Sequence, residues 1–188
     1  MEGRRRYDPS VREAAERDLE RAGGENAPIE IVDYDPEWPA RFEAERERLQ
    51  RLLPDTEIHH IGSTAVPDMP AKPVIDLMAL VDDLDAPIAA LVEQGGYDFP
   101  EEFNAALGHR RWLCRPSAAH RTHHLHLVDE QAELDRHLRF RDRLRADPGL
   151  RAEYAGLKRG LARAHRDDRE AYSEAKSAFV RRVETGSA

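Results

Sequence analysis

The stretch HHIGSTAVPDMPAKPVIDLMALV, His59 to Val81, decides how the rest of the chain is read. The segment TEIHHI, ending at Ile61, is short and strand-like; Gly62 breaks it, and STAV opens a helical turn that Pro67 must end or redirect. Beyond the proline-rich bend, PVIDLMALV is apolar and β-branched enough for a buried strand. A strand that ends in Gly and enters a helical turn through Ser63 and Thr64 leaves backbone N–H groups free and adds hydroxyl donors. That combination can hold a phosphate, although Gly-Ser-Thr after a strand is more often an ordinary helix cap. Lys72, fixed immediately before Pro73, brings a cation to the same neighbourhood. Asp76 lies within the apolar strand, where an ionised carboxylate is costly unless it is paired or bound to a cation.

Working outward, a metal would be a partner for Asp76, and HHLHLV, His123 to Val128, supplies candidate ligands. On a strand His124 and His126 share one face, while His123, Leu125 and Leu127 share the other. Two imidazoles at i and i+2 beside a carboxylate on a neighbouring strand suit a divalent transition metal. Hydrogen-bonded strand histidines, or phosphate contacts, are the alternative. His109, His120 and His123 are secondary candidates, and Arg110, Arg111, Arg141, Arg143 and Arg145 read as solvated surface. Of 29 basic residues only Lys72, Lys158 and Lys176 are lysine. A chain that writes nearly every cation as Arg marks the sites where a compact ammonium is retained. Lys158 and Lys176 fall on helices, opposite the apolar stripes, where exposure is the ordinary fate; their scarcity is what raises them.

The 188 residues suit one domain, with 40% hydrophobic and 35% charged residues and a net charge of −8. Residues 1–28 read as an N-terminal extension, helical or mobile, and residues 29–185 as the domain proper. The acidic balance makes long nucleic acid a poor partner and leaves room for a small anion in a local basic pocket. No apolar run approaches a membrane span and no signal-type segment opens the chain, so the expected address is the cytoplasm. Cys114, the only cysteine, reads as a buried thiol. PIEIVDYDP predicts a short strand, EWPARFEAERERLQRLL a helix, DAPIAALVEQGG a helix, YDFPEEFN a loop, and HRRWLCRP and THHLHLV strands. From Asp129 the period turns helical. Leu150, Tyr154, Leu157 and Leu161 form one stripe, and Tyr172, Ala175, Phe179 and Val183 another.

HIGSTAVPDMPAKPVIDLM, with YDPEWPARFEAE, HLHLV, HLRFRDRLRADP, YAGLK and DDREAYSEAK in order, resembles the GrpB-like family of predicted nucleotidyltransferases, over about Ile29 to Val183. The resemblance implies an α+β, polymerase-beta-like nucleotidyltransferase fold: a small mixed sheet flanked by helices, with a C-terminal helical part. It implies that Gly62 and Ser63 face the triphosphate of a nucleoside triphosphate, and that Asp76 is the first metal-binding carboxylate. It also places Lys72, Lys158 and Lys176 within family motifs. Three departures follow. The second carboxylate expected two residues after Asp76 is Met78, and the strand expected to give a third offers His124 and His126. Mg²⁺ favours oxygen ligands, so this set points to Mn²⁺ or Zn²⁺, or to no metal and a phosphate contact. Where the resemblance implies that family members usually carry Gly, this chain has Asp68, which tolerates a left-handed turn fairly well. The implied activity is nucleotidyl transfer to a small acceptor, with Asp76 and Lys72 catalytic. The Met78 departure favours a non-catalytic nucleotide- or coenzyme-binding module, linked to CoA metabolism through a kinase that carries a similar domain; a metal-dependent phosphohydrolase using the same pocket is the third reading.

Overall fold

The computed structural model describes residues 29–185; the segment 1–28, read above as an extension, lies outside the described residues. Four strands form one mixed sheet: β1 (Ile58–Ile61), β2 (Ile75–Leu80), β3 (Arg110–Pro116) and β4 (Arg121–Val128). Their order across the sheet is β1-β2-β4-β3. The central pair β2 and β4 is parallel, and both flanking pairs are antiparallel. Among the described residues six α-helices accompany them: α1 (Trp38–Gln50), α2 (Ile88–Glu93), α3 (Glu101–Ala105), α4 (Gln131–Ala146), α5 (Pro148–Ala164) and α6 (Arg169–Thr185).

The two faces of the sheet differ because side chains alternate along each strand. Ile75, Leu77 and Ala79 of β2 join Leu113, Leu125 and Leu127 and pack under Trp38, Phe42 and Leu49 of α1. Glu45 occupies the same helical stripe and is buried, because Arg115 of β3 and the Tyr97 hydroxyl (2.7 Å) meet its carboxylate. On the opposite face the upper halves of β2 and β4 pack Met78 and Val128 against Ile61 and Leu134 of α4. Two residues earlier on that face the polar Asp76 and His126 take over from Met78 and Val128.

Asp147 caps α5: its side chain accepts from the Leu150 N–H (2.9 Å) while Pro148 fills the first helical position. Leu144, Tyr154, Phe179 and Val183 close a second core over Val66 and Met69, beside the Gly62 turn. The helices therefore lean on the loop between β1 and β2 rather than on the sheet centre. Two local expectations are corrected. PIEIVDYDP contributes a single bridge, Val32 to Ala71, in place of a strand, because one antiparallel partner residue is all that the bend after β1 offers. YDFPEEFN contains the short helix α3 where a loop was expected, with Asn104 fixed by the Trp112 carbonyl and N–H (2.8 and 2.7 Å).

Candidate functional site

β1 ends at Ile61, and Gly62 turns the chain with φ 71° into a 3-10 turn over Ser63–Ala65. Gly is required here on two counts. The left-handed φ disfavours any Cβ, and a Cβ at this position would lie 2.4 Å from Asp76 Oδ2. The turn thus lies directly against the carboxylate. Asp76 faces His124 across the parallel pair, and Met78 faces His126, so all four side chains project from the same face. Asp68 adopts φ 61°, the left-handed position expected of it.

The hydrogen-bond directions follow from valence. Asp76 Oδ1 lies 2.9 Å from His124 Nδ1 and 3.8 Å from His126 Nε2. Burial pushes the Asp76 pKa up, but the His124 and His126 imidazoles outweigh it and hold the carboxyl well below its usual range. An ionised carboxylate only accepts, so His124 Nδ1 carries the proton, and in the neutral ring Nε2 carries the lone pair. That nitrogen is buried and has no hydrogen-bond partner among the described residues. His126 is differently committed. Its Nδ1 accepts from the Arg110 guanidinium (3.1 Å from Nε), which has no acceptor of its own. Burial, then Arg110, lower the His126 pKa to about 3, so the ring is neutral with its remaining proton on Nε2, toward Asp76.

This donor set tests the metal reading. Ligand-type atoms of Asp76, His124 and His126 lie within 4.8 Å of one another. The orphaned His124 Nε2 beside a carboxylate suits one ion of the Mn²⁺ or Zn²⁺ kind. His126 fits less well, because its lone pair is spent on Arg110. A pair of Mg²⁺ ions does not fit: Met78 is fully buried in an apolar cluster where the second carboxylate would stand.

Around this floor runs a cleft of about 510 Å³, within the range of small-molecule sites. Lys72, Lys158, Lys176, Arg110 and Arg121 line it, against the carboxylates of Asp76 and Glu30. A chain of net charge −8 therefore has a cationic pocket. The three lysines meet from three segments. Lys72 Nζ lies 4.6 Å from the centre of the Tyr172 ring and Lys176 Nζ 4.3 Å from it. Lys158 Nζ donates to Ser63 Oγ (2.8 Å) and to the Pro70 carbonyl (2.5 Å), above the Tyr154 ring. Burial, then Lys176 and Arg159, lower its pKa to about 7. The exposure expected of Lys158 is overturned. It follows Tyr154 by four residues and shares its buried face, so the Leu157 stripe was read one residue out of phase. Lys176 likewise follows Tyr172 by four and is partly buried, whereas Ala175 is exposed.

The other candidates divide. The Thr64 hydroxyl lines the cleft but is committed to the Val74 carbonyl (3.2 Å) and His60 (3.0 Å). His109 is exposed near Asp129 and Glu130, His120 is exposed, and His123 is buried on the α1 face against Thr122. None of these three joins the cleft lining. Arg110, expected on the surface, is the neighbour of His126. Arg141 and Arg145 bind the His60 and Ala65 carbonyls (3.0 and 2.9 Å), and Arg143 binds that of Val183; Arg111 pairs with Asp85 (2.7 Å). Cys114 is buried. Trp112, Arg121 and Tyr172 were missed. Only the alternation of HRRWLCRP, which puts Arg110 and Trp112 on one strand face, carried a signal for any of the cleft residues outside the motifs.

The model of the GrpB protein family matches residues 28–185. The chain belongs to the GrpB family. It is 38% identical to the UPF0157 protein YqkA of Bacillus subtilis and 40% identical to the UPF0157 protein PA4798 of Pseudomonas aeruginosa, over 83% and 82% of its length. These alignments span 46% and 66% of those two proteins. It is also 31% identical, over 82% of its length, to a dephospho-CoA kinase of Mycolicibacterium paratuberculosis, of which it spans 45%. Among solved structures, the GrpB protein of Enterococcus faecalis superposes with a TM-score of 0.74 at 36% identity, covering 84% of this chain and 96% of that one. The Cid1 poly(U) polymerase bound to Mg 3′-dATP superposes at 0.51 with 16% identity, covering 90% of this chain and 54% of that one, a likeness of fold alone. The GrpB fold of this chain is thus nucleotidyltransferase-like. No helix among the described residues is long and apolar enough to cross a membrane.

Proposed function

We propose that this GrpB protein binds the phosphate chain of a nucleoside triphosphate between the Gly62 turn and its three lysines, and transfers the nucleotidyl group to a small acceptor. The observation that carries this reading is the convergence of Lys72, Lys158 and Lys176, the only lysines of the chain, in one cleft beside Asp76. Lys158 joins α5 to both Ser63 and Pro70, so the turn is held in place before any ligand arrives. The backbone on either side of Lys72 is also fixed: Ala71 pairs with Val32 (2.9 Å) and the Val74 N–H bonds the Lys72 carbonyl (2.8 Å). Three ammonium groups and Arg110 then offset phosphate charge, which lowers the barrier where that charge is redistributed in the transition state. A divalent ion held by Asp76 and His124 would add Lewis-acid stabilisation at the attacked phosphorus. Asp76, through Nδ1 of His124, keeps that ring in the tautomer whose Nε2 can hold the ion or take the acceptor's proton.

Thermal-shift and product analysis test this. ATP or tripolyphosphate with Mn²⁺, Zn²⁺ or Mg²⁺ should raise the melting temperature. Saturation a hundredfold above Kd is worth about 2.7 kcal/mol. Lys72→Ala and Lys176→Ala should lose the shift. Pyrophosphate release that needs an acceptor and stops in Asp76→Asn supports transfer, and acceptor-independent release of phosphate supports hydrolysis instead. No shift with any nucleotide or with tripolyphosphate overturns the reading. The second reading, a nucleotide- or coenzyme-binding module without turnover, is favoured by one specific feature: Met78 and the Arg110–His126 pair stand where further metal ligands would be needed.

A further inference from the structure

The lysines occupy one end of the cleft, and the other end is built differently. Phe103 of α3 is the exposed large hydrophobic residue among the described residues, at 53% of its surface, and it lines the cleft. Exposing an aromatic ring there forgoes hydrophobic burial, and no other large apolar side chain among the described residues is as exposed. Its ring meets the edge of Trp112 (centroids 5.2 Å, 67°), and Trp112 is itself buried and anchored through Asn104. The Arg121 guanidinium lies over the Trp112 ring at 5.1 Å, its orientation set by the bond from Nε to the Ala118 carbonyl (2.8 Å). Phe103 and Arg121 therefore form two planar surfaces mounted on one buried indole.

This shelf has a defined place relative to the phosphate end. Trp112 faces His126 across β3 and β4, and the Gly62 turn continues β1 at the other edge of the sheet. Three strand spacings of about 4.8 Å separate those edges, roughly 14 Å, with Asp76 and His124 on the floor between. A ligand with anionic groups at the lysines and a planar ring at the shelf would lie across Asp76.

We propose that Phe103 and Arg121, backed by Trp112, form a stacking site for the heteroaromatic base of the bound nucleotide. Every base has a π face, and an aromatic ring paired with a guanidinium plane holds such faces without reading their edges. The shelf offers stacking surfaces and a cation and no fixed array of neutral donors and acceptors, so purine and pyrimidine nucleotides should bind within a few-fold of one another, purines the tighter. The proposal rests on the nucleotide reading above.

Trp112 supplies the readout, because the second tryptophan, Trp38, is fully buried under the opposite face of the sheet. Titrations with ATP, UTP and tripolyphosphate, followed by tryptophan fluorescence and by calorimetry, separate the base from the phosphates. The expected result is that ATP changes the fluorescence and binds about tenfold or more tightly than tripolyphosphate, which leaves the emission unchanged. Phe103→Ala, an exposed substitution, should bring ATP down to the tripolyphosphate affinity while leaving tripolyphosphate itself unaffected. Arg121→Lys, which keeps the charge and loses the plane, should weaken ATP in the same direction. Equal affinities for ATP and tripolyphosphate in the unaltered protein, or ATP binding unchanged in Phe103→Ala, would overturn the stacking site and leave the phosphate reading standing. Binding of neither compound would remove both.

Discussion

Replacing Lys158 by Met removes a buried ammonium while keeping most of its volume, and the outcome can be worked through the pH axis. Lys158 has a pKa near 7 in the folded chain against an ordinary value of 10.5. The folded value is the lower one, so the unfolded chain binds the extra proton between these limits. The Lys158 contribution to stability must then rise with pH across that window and be flat on either side. The full interval corresponds to about 5 kcal/mol, with a slope approaching 1.4 kcal/mol per pH unit. Binding a phosphate at Ser63 favours the ammonium, so above pH 7 the ligand should bring a proton with it. At pH 8 that uptake approaches one proton, and affinity should fall up to tenfold per pH unit above 7. Calorimetry of tripolyphosphate binding at pH 8, in buffers of different ionisation enthalpy, measures the uptake. Denaturant melts from pH 6 to 10 measure the stability slope. In Lys158→Met both effects should shrink by the Lys158 share, leaving what Lys176, whose pKa burial also lowers, contributes, whatever the net stability change from leaving Ser63 and the Pro70 carbonyl without their donor. An unaltered protein with no uptake at pH 8, or the same pH slope in both proteins, would refute the assignment of Lys158 as the coupled group.

Gly62→Ala should destabilise by about 1–3 kcal/mol and displace Asp76, seen as a lowered melting temperature together with lost turnover, because a Cβ meets the carboxylate at a left-handed φ. Met78→Asp should not restore a second metal ligand; it buries a charge among Ile61, Val128 and Leu134 and should cost several kcal/mol in denaturant melts. Glu45→Gln should cost about 3–5 kcal/mol by stranding Arg115 beneath α1. Its carboxyl, desolvated yet held at about 2 by His123 and Arg115, stabilises the fold above the unfolded value of 4.5. That contribution is lost as pH falls from 4.5 through 2, and acid melts of Glu45→Gln should be flatter in this range.

Much of the fold is legible along the chain because its causes are local. Gly62 breaks β1, Pro148 opens α5, and the alternation in THHLHLV assigns His124 and His126 to one face before any partner strand is known. The Lys scarcity also marks three positions without saying where they meet. Phase errors are where local reading fails. Lys158 lies one residue beyond Leu157, and a helix stripe read to within one position moves a side chain by about 100°. Arg110 reads as surface because nothing near it in the sequence announces a buried imidazole acceptor sixteen residues away.

The sequence by itself determined the strand breaks, the two-faced character of β4 and the family, since each rests on residue types at short spacing. Only the tertiary structure decided which nitrogen of each histidine is spent. It alone brought the ammonium groups of three distant segments around Ser63 and Tyr172, and it left Phe103 exposed against Trp112. Hydrogen-bond direction and charge proximity depend on distances between segments, and spacing along the chain does not encode those distances.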